Sequence, residues 1–288
     1  MEPVEHFEWA TAIVPVRKKD GSVRICGDYK ITVNQVCKGD NHPIPHIEDL
    51  AYALSGGDKF TKLDLSHAYT QLQLDEESRK LTTINTHKGL FTYHRLCFGV
   101  SASPGIFQRT MENLFRNVPG CVNYLDDVYV TGTDDNDHLN NLNEVLSICE
   151  GKGLSLRRDK CEFLQREVTF LGYRLDKNGL YPLTDKVDAI RNAPTPCNTQ
   201  ELRSFLGLVN FYGKFIPNVS QILAPLYKLL KKGQSWNWSK LQEVAFNKVK
   251  SVLASDNVLI HFKPEREIVV VCDAYWSRCH PYASRQQR

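Results

Sequence analysis

The 288-residue chain is short of several features that would classify it at once. Its nine cysteines, an odd number, include no Cys-x-x-Cys pair, and Cys272, Cys279 and His280 do not have zinc-site spacing. Cys26, Cys97, Cys121, Cys149 and Cys161 sit in or beside apolar segments and read as small buried hydrophobes. The N-terminus, Met1-Glu2-Pro3-Val4-Glu5, is acidic and has no apolar signal region, and no run approaches membrane-spanning length. These absences point away from secreted and membrane classes, towards a reducing intracellular setting, cytoplasmic or nuclear, with no membrane partner. There is no internal repeat or low-complexity tract, and a net charge of +3 identifies no partner.

Apolar content of 42% and aromatic content of 10% are ample for a packed core. The length exceeds what one core usually organises, so two or more substructures are expected. Positive charge is local: Arg17-Lys18-Lys19, Arg157-Arg158 with Lys160, and Lys228 with Lys231-Lys232. Taken singly, each cluster reads as a solvated face.

Residues 10–30 alternate apolar and polar around Lys19-Asp20-Gly21, predicting a β-hairpin with a basic tip. Ile47 to Leu54 reads as a short helix stopped by Gly56-Gly57, and Phe60 to Leu65 as a strand with Asp64 near its end. Gln71–Leu74, Leu81–Thr86, Phe91–Leu96, Leu154–Leu156 and Val168–Leu175 read as further strands. A helix after Pro104 carries Phe107, Met111, Leu114 and Phe115 on one face, and another starts near His138. Beyond Pro182 the pattern turns helical. Thr184 caps one helix, Asn198 or Thr199 a second, Ser220–Leu230 is a third, and Ser239 with Gln242 opens a fourth as a capping box. Ile268–Cys272 reads as a strand ending at Asp273.

The chemistry concentrates at Tyr124-Leu125-Asp126-Asp127, between the apolar segments Cys121-Val122-Asn123 and Val128-Tyr129-Val130. Two carboxylates at a hairpin tip repel unless a cation lies between them. Magnesium, a hard ion with oxygen ligands that often also holds substrate phosphate, is the fitting partner. A strand ending at Asp64 could join this hairpin in one sheet. Three carboxylates could then hold two ions for in-line displacement at phosphorus. Three surface aspartates are the bland alternative.

Taken in order, Lys62-Leu63-Asp64-Leu65-Ser66-His67-Ala68-Tyr69, Phe98-Gly99-Val100-Ser101-Ala102-Ser103-Pro104 with Phe107-Gln108, and Tyr124-Leu125-Asp126-Asp127 resemble reverse transcriptase motifs. Glu201-Leu202-Arg203-Ser204-Phe205-Leu206-Gly207-Leu208-Val209-Asn210-Phe211-Tyr212 is similar to the stretch beyond those motifs in gypsy-type LTR retrotransposon Pol polyproteins. The resemblance runs from about Trp9 to Asp273. It implies an α+β right-hand polymerase: fingers and palm over 1–180, helical thumb and connecting helices over 181–253, and a truncated RNase H-like remnant over 254–288. It implies RNA-directed DNA polymerase activity with Asp64, Asp126 and Asp127 as catalytic metal ligands for two Mg2+ ions, Mn2+ being the substitute. The implied partners are an RNA or DNA template with its primer, and deoxynucleoside triphosphates; no signal bears on oligomeric state. Lys18 and Arg24 match the fingers residues for the triphosphate, and Tyr69 the aromatic under the sugar, where it excludes a 2′-hydroxyl. Gly99 allows close backbone approach to the template–nucleotide pair, Gln108 matches a template-side glutamine, and Lys214 and Lys228 are candidate duplex contacts. The alternatives are core packing for Tyr69, an exposed helical position for Gln108, and simple solvation for the lysines.

The chain also departs from the pattern. Cys97 replaces the usual proline before Phe98-Gly99, which could loosen that loop. Val271-Cys272-Asp273-Ala274 resembles a first RNase H strand, but Tyr275-Trp276-Ser277-Arg278-Cys279-His280-Pro281 stands where a glycine-containing strand should come next. The remaining RNase H carboxylates have no room, so no such activity is expected, and a lone strand from Ile268 would leave a sticky edge. Protease, integrase and zinc-knuckle segments are missing, as in a polyprotein fragment or a decayed copy. The rival functional readings are a non-catalytic, retroelement-derived nucleic-acid-binding protein and an unrelated metal-dependent nucleotidyltransferase.

Overall fold

Strand alternation around Asp64 builds the central sheet. Phe60–Asp64 pairs antiparallel with Asp127–Thr131 on one side and Glu162–Gln165 on the other, and Cys121–Tyr124 completes the order beyond Asp127–Thr131. Leu63, Val128 and Val130 point to one face, where they pack on Phe107 and Met111 of the Ser103–Phe115 helix and on Val145 and Cys149 of the Asp135–Gly151 helix. Phe60 and Tyr129 point to the other face and join a second core with Phe170, Tyr173 and the C-terminal helices. The coordinates are a computed structural model; it describes residues 1–18, 21–37 and 42–254, and the backbone alone at 259–260, 269–275 and 278–284.

The N-terminal hairpin, Thr11–Arg17 with Val23–Gly27, forms as expected, though Lys19 and Asp20 at its tip lie outside the described residues. It belongs to a five-stranded sheet with Ile84–Thr86, Gly89–Thr92 and Glu2–Val4. A third sheet runs Glu167–Phe170, Tyr173–Asp176, Gly179–Pro182, Leu259–Ile260. Four helices come after Gly179–Pro182: Thr184–Arg191, Thr199–Phe211, Val219–Lys228 and Lys240–Leu253. Asn198 caps the second through bonds from the Gln200 and Glu201 amides, and Ser239 and Gln242 form the capping box of the fourth.

Several elements differ from the sequence expectation. Gln71–Leu74 is no strand: a 3-10 turn covers Ala68–Gln71, and the segment contributes a single bridge, Gln73 to Arg95. Leu81 ends a helix, Glu76–Leu81, capped by the Asp75 carboxylate on the Ser78 amide at 2.7 Å. Val168–Leu175 is two strands, because Leu171 and Gly172 both take positive φ and reverse the chain. Leu154–Leu156 reduces to one bridge, Leu65 to Leu156. The helix expected near His138 begins at Asp135 with Asp134 as its cap, and Thr184 lies inside its helix, after Leu183. The tail strand is not alone: Val269–Tyr275 pairs antiparallel with Arg278–Ser284, setting Asp273 opposite His280. Ile268 and Trp276 lie outside the described residues.

Candidate active site

The register of the central sheet places Asp64 directly opposite Asp127, the last residue of one strand against the first of another. Directly paired residues of an antiparallel ladder share a face, so two carboxylates confront each other across the strands. Asp126 occupies the two-residue loop between Tyr124 and Asp127, and its carbonyl accepts a 2.9 Å bond from the Leu65 amide. Leu125, the other loop residue, has φ +50, while Asp126 has none of the positive φ of its neighbour. That is the pattern of a type II′ turn, which usually has glycine first. A leucine there is strained by roughly 1–2 kcal/mol.

Gln108 holds this strained turn. Its side chain is 0% exposed, its Oε1 accepts from the Leu125 amide at 2.7 Å, and its Nε2 donates to the Asn123 carbonyl at 3.0 Å and to Glu112 at 2.8 Å. The exposed helical position expected as one alternative is overturned by this burial, and the hydrogen bonds turn the side chain to the hairpin. Gln108 braces the carboxylate-bearing hairpin from the helix beneath it.

Asp64 and Asp126 line a cavity of ≈ 800 Å³. The same cavity is lined by Lys18 and Arg24 from the N-terminal hairpin, and by Arg157 and Lys160 from the segment after the Asp135–Gly151 helix. Arg157 and Lys160 went unrecognised in the sequence as more than solvated charge. The signal was weak, because contacts between segments far apart in the chain bring them back, among them the bridge from Leu65 to Leu156 and the Arg157 amide bond to the Asp64 carbonyl (2.8 Å). Burial raises the Asp64 pKa; Lys160 and Arg157 pull it down, and Asp127 and Asp126 push it up.

Tyr69 also lines the cavity, its ring packed between Phe98 (4.9 Å) and Phe107 (5.3 Å). Burial, then the nearby Asp126 charge, raises its hydroxyl pKa. Arg24 lies over the Phe98 ring with its guanidinium carbon 4.4 Å from the centroid. Gly99 is not on the cavity wall. It has φ +102, and a Cβ there would lie 2.2 Å from the Gly27 carbonyl oxygen, so it serves the close approach of the loop before the Ser103–Phe115 helix to the N-terminal hairpin. Cys97 is buried, donates its thiol to the Tyr29 hydroxyl at 3.6 Å, and has its carbonyl held by Ser103 at 2.9 Å, so this loop is pinned.

Asp127 is engaged differently from the other two carboxylates. Lys62 Nζ is 3.1 Å from its Oδ2, and the Tyr129 hydroxyl is 3.2 Å from the same oxygen. Among the described residues no group of three or more carboxylates, histidines and cysteines is disposed to hold an ion. The expected three-carboxylate cluster is therefore a pair open to the cavity plus a third held by a lysine. A pair of carboxylates still fits Mg2+, which typically takes one or two from protein and the rest from water and substrate phosphate. Lys214 pairs with Glu48 at 3.0 Å and lies over the Tyr173 ring at 3.8 Å, while Lys228 is exposed.

A central sheet with two carboxylates opposed across its strands, basic side chains of the N-terminal hairpin in the same cavity and C-terminal helices packed on one sheet face make an α+β domain of the right-hand polymerase type. The model of the family reverse transcriptase (RNA-dependent DNA polymerase) matches residues 16–175, and the chain belongs to that family. It is 36% identical over 271 residues to the retrovirus-related Pol polyprotein from transposon 297 of Drosophila melanogaster, covering 92% of this chain and 25% of that protein. It is 33% identical over 267 residues to the transposon Tf2-3 polyprotein of Schizosaccharomyces pombe, covering 92% and 20%. The chain thus spans a quarter or less of these relatives. A structure of the foamy viral protease-reverse transcriptase in complex with dsDNA superposes with a TM-score of 0.85 at 28% identity, over 99% of this chain and 60% of that one. The same protein with an RNA/DNA hybrid gives 0.83 at 27%, over 97% and 38%. No helix among the described residues is long and apolar enough to cross a membrane.

Proposed function

We propose that the chain is an RNA-directed DNA polymerase, adding deoxynucleotides to a primer 3′-hydroxyl under the direction of a template. The observation that carries this is one cavity lined by Asp64 and Asp126 together with Lys18, Arg24, Arg157 and Lys160. Anionic oxygen donors and cations in one chamber suit a nucleoside triphosphate, whose phosphates take the cations while the reacting end lies at the carboxylates. Mg2+, or Mn2+ in its place, bound by Asp64 and Asp126 would polarise the attacking hydroxyl and screen the charge on the phosphates, as in a two-ion phosphoryl transfer.

Arg24, stacked on Phe98, presents its donors to the triphosphate in a fixed fork, and Lys18 adds a mobile charge. Tyr69, wedged between two phenylalanines, offers a rigid ring edge to the sugar, so a 2′-hydroxyl would clash. Gln108 keeps Asp126 at a constant position by holding the turn. The reacting 3′-oxygen attacks the α-phosphorus, its proton leaves to solvent, and pyrophosphate departs with the cavity's basic side chains stabilising its charge. That the foamy viral neighbours were solved with dsDNA and with an RNA/DNA hybrid supports a primer–template as partner.

Primer extension on an RNA template with deoxynucleotides and Mg2+ tests this. Extension by the parent, lost in Asp126→Asn, is the expected result. A folded parent that binds primer–template and adds nothing would instead identify the non-catalytic binding protein.

A further inference from the structure

Lys62 and Asp64 are two residues apart on one strand, and Asp127 and Tyr129 two apart on its neighbour. Period-two alternation puts all four on one face, with Asp64 opposite Asp127 and Lys62 opposite Tyr129. The Lys62 ammonium reaches diagonally to Asp127 Oδ2 at 3.1 Å and lies over the Tyr129 ring at 5.5 Å from its centroid. Tyr129 is fully buried, and its hydroxyl lies between Asp127 Oδ2 (3.2 Å) and the Thr169 carbonyl of the adjoining sheet (3.3 Å). The ion pair is mostly sheltered, the two side chains being 17% and 23% exposed. Asp64 and Asp126 reach the cavity; neither Lys62 nor Asp127 is among its walls.

We propose that Lys62 is a positioning residue of the polymerase site, a built-in counter-cation that holds Asp127 out of the ion-binding pair. Without it, Asp64 would face an uncompensated carboxylate directly across the ladder, an arrangement that destabilises a sheet. With it, the strand pairing closes before any divalent ion is present. Asp127 is tied through Tyr129 to the Thr169 strand, and the ion is left to Asp64, Asp126 and substrate oxygens. Lys62 also adds a positive charge beside the site, which weakens divalent-ion binding and keeps ion uptake dependent on arriving phosphate.

This rests on reading the site as metal-binding. The test uses the full chain, Mn2+ alone as the probe, electron paramagnetic resonance of free ion for affinity, and thermal melting without metal for the scaffold. Lys62→Met should tighten Mn2+ binding by at least roughly fivefold, the effect of deleting one unit charge a few ångström away even at the dielectric of water. It should also lower the metal-free melting temperature and enlarge the rise that Mn2+ produces. Lys62→Arg should restore parental values on both counts. In an Asp127→Asn background Lys62→Met should lose most of its effect on metal-free stability, since the charge it compensates is gone. Lys62→Gln is the second variant should Lys62→Met fold poorly, with the same tightening expected. Unchanged or weaker Mn2+ binding in a folded Lys62 variant, with the parent binding Mn2+, would overturn the role of Lys62 alone. A folded parent that takes up no Mn2+ would overturn the metal reading and the lysine's role together.

Discussion

Replacing Gln108 by leucine should disable the active site from behind. The substitution keeps the volume but removes three hydrogen bonds, to the Leu125 amide, the Asn123 carbonyl and Glu112. The Leu125 amide and Asn123 carbonyl then lose a partner inside the protein, at roughly 1–3 kcal/mol for each such group. Allowing for water reaching the half-buried Leu125 side, the net loss is about 2–4 kcal/mol. At about 2–4 °C per kcal/mol for a chain of 150–250 residues, that lowers the melting temperature by roughly 4–16 °C. The larger effect is on chemistry. The strained Leu125 turn loses its anchor, and Asp126 shifts with it; a displacement near 1 Å costs on the order of a hundredfold in rate. Differential scanning fluorimetry and single-nucleotide extension measure the two. Gln108→Glu refines the test: it keeps the acceptor for Leu125 but sets a carboxylate against Glu112 and the Asn123 carbonyl. Its melting temperature should be lowest at neutral pH and recover as the pH falls through the carboxylate range. A Gln108→Leu protein with parental melting and parental extension would refute the bracing role.

Tyr69→Ala should admit ribonucleotides, raising their incorporation relative to deoxynucleotides by at least tenfold, measured as a ratio of kcat/KM; an unchanged ratio would return Tyr69 to simple core packing. Gly99→Ala forces a Cβ to 2.2 Å from the Gly27 carbonyl at φ +102, so it should destabilise the contact between the N-terminal hairpin and the loop before the Ser103–Phe115 helix and raise KM for nucleotide, read by melting and steady-state kinetics. Asp64 has its pKa raised in the folded chain, so the folded state holds that proton more tightly than the unfolded one. Its contribution to metal-free stability is therefore present at low pH and lost as the pH rises from the ordinary carboxylate value, about 4. Asp64→Asn should remove that falling component from melts run with chelator across the acid range, and an identical pH profile in parent and variant would contradict it.

Sequence alone revealed the carboxylates but not how they divide. Asp64, Asp126 and Asp127 were legible because strand alternation and turn chemistry are local, and the ladder register then set two of them face to face. Lys62 was legible in principle, since it shares the period-two face of Asp64, but its partner Asp127 depends on register between strands far apart in the chain. Gln108 was misjudged because it sits next to Phe107 on an amphipathic helix, where a polar residue normally faces water; only the hairpin docked above makes burial favourable. The Glu76–Leu81 helix had a capping aspartate, acidic first turn and basic last turn in plain sight, yet six residues give too short a period to stand out. The reversal at Leu171 was hidden inside an apolar run, with Gly172 its sole punctuation. Arg157 and Lys160 became site residues through a bridge to the Asp64 strand that no local pattern encodes.

The central claim is that this cavity performs templated nucleotide addition, and the most direct measurement offers a labelled DNA primer on an RNA template one deoxynucleotide at a time with Mg2+. The account predicts that the complementary nucleotide alone is added efficiently, and that Asp126→Asn abolishes the addition without loss of primer–template binding. A folded parent that binds the primer–template but leaves it unextended, or extends it regardless of the template base, would contradict it.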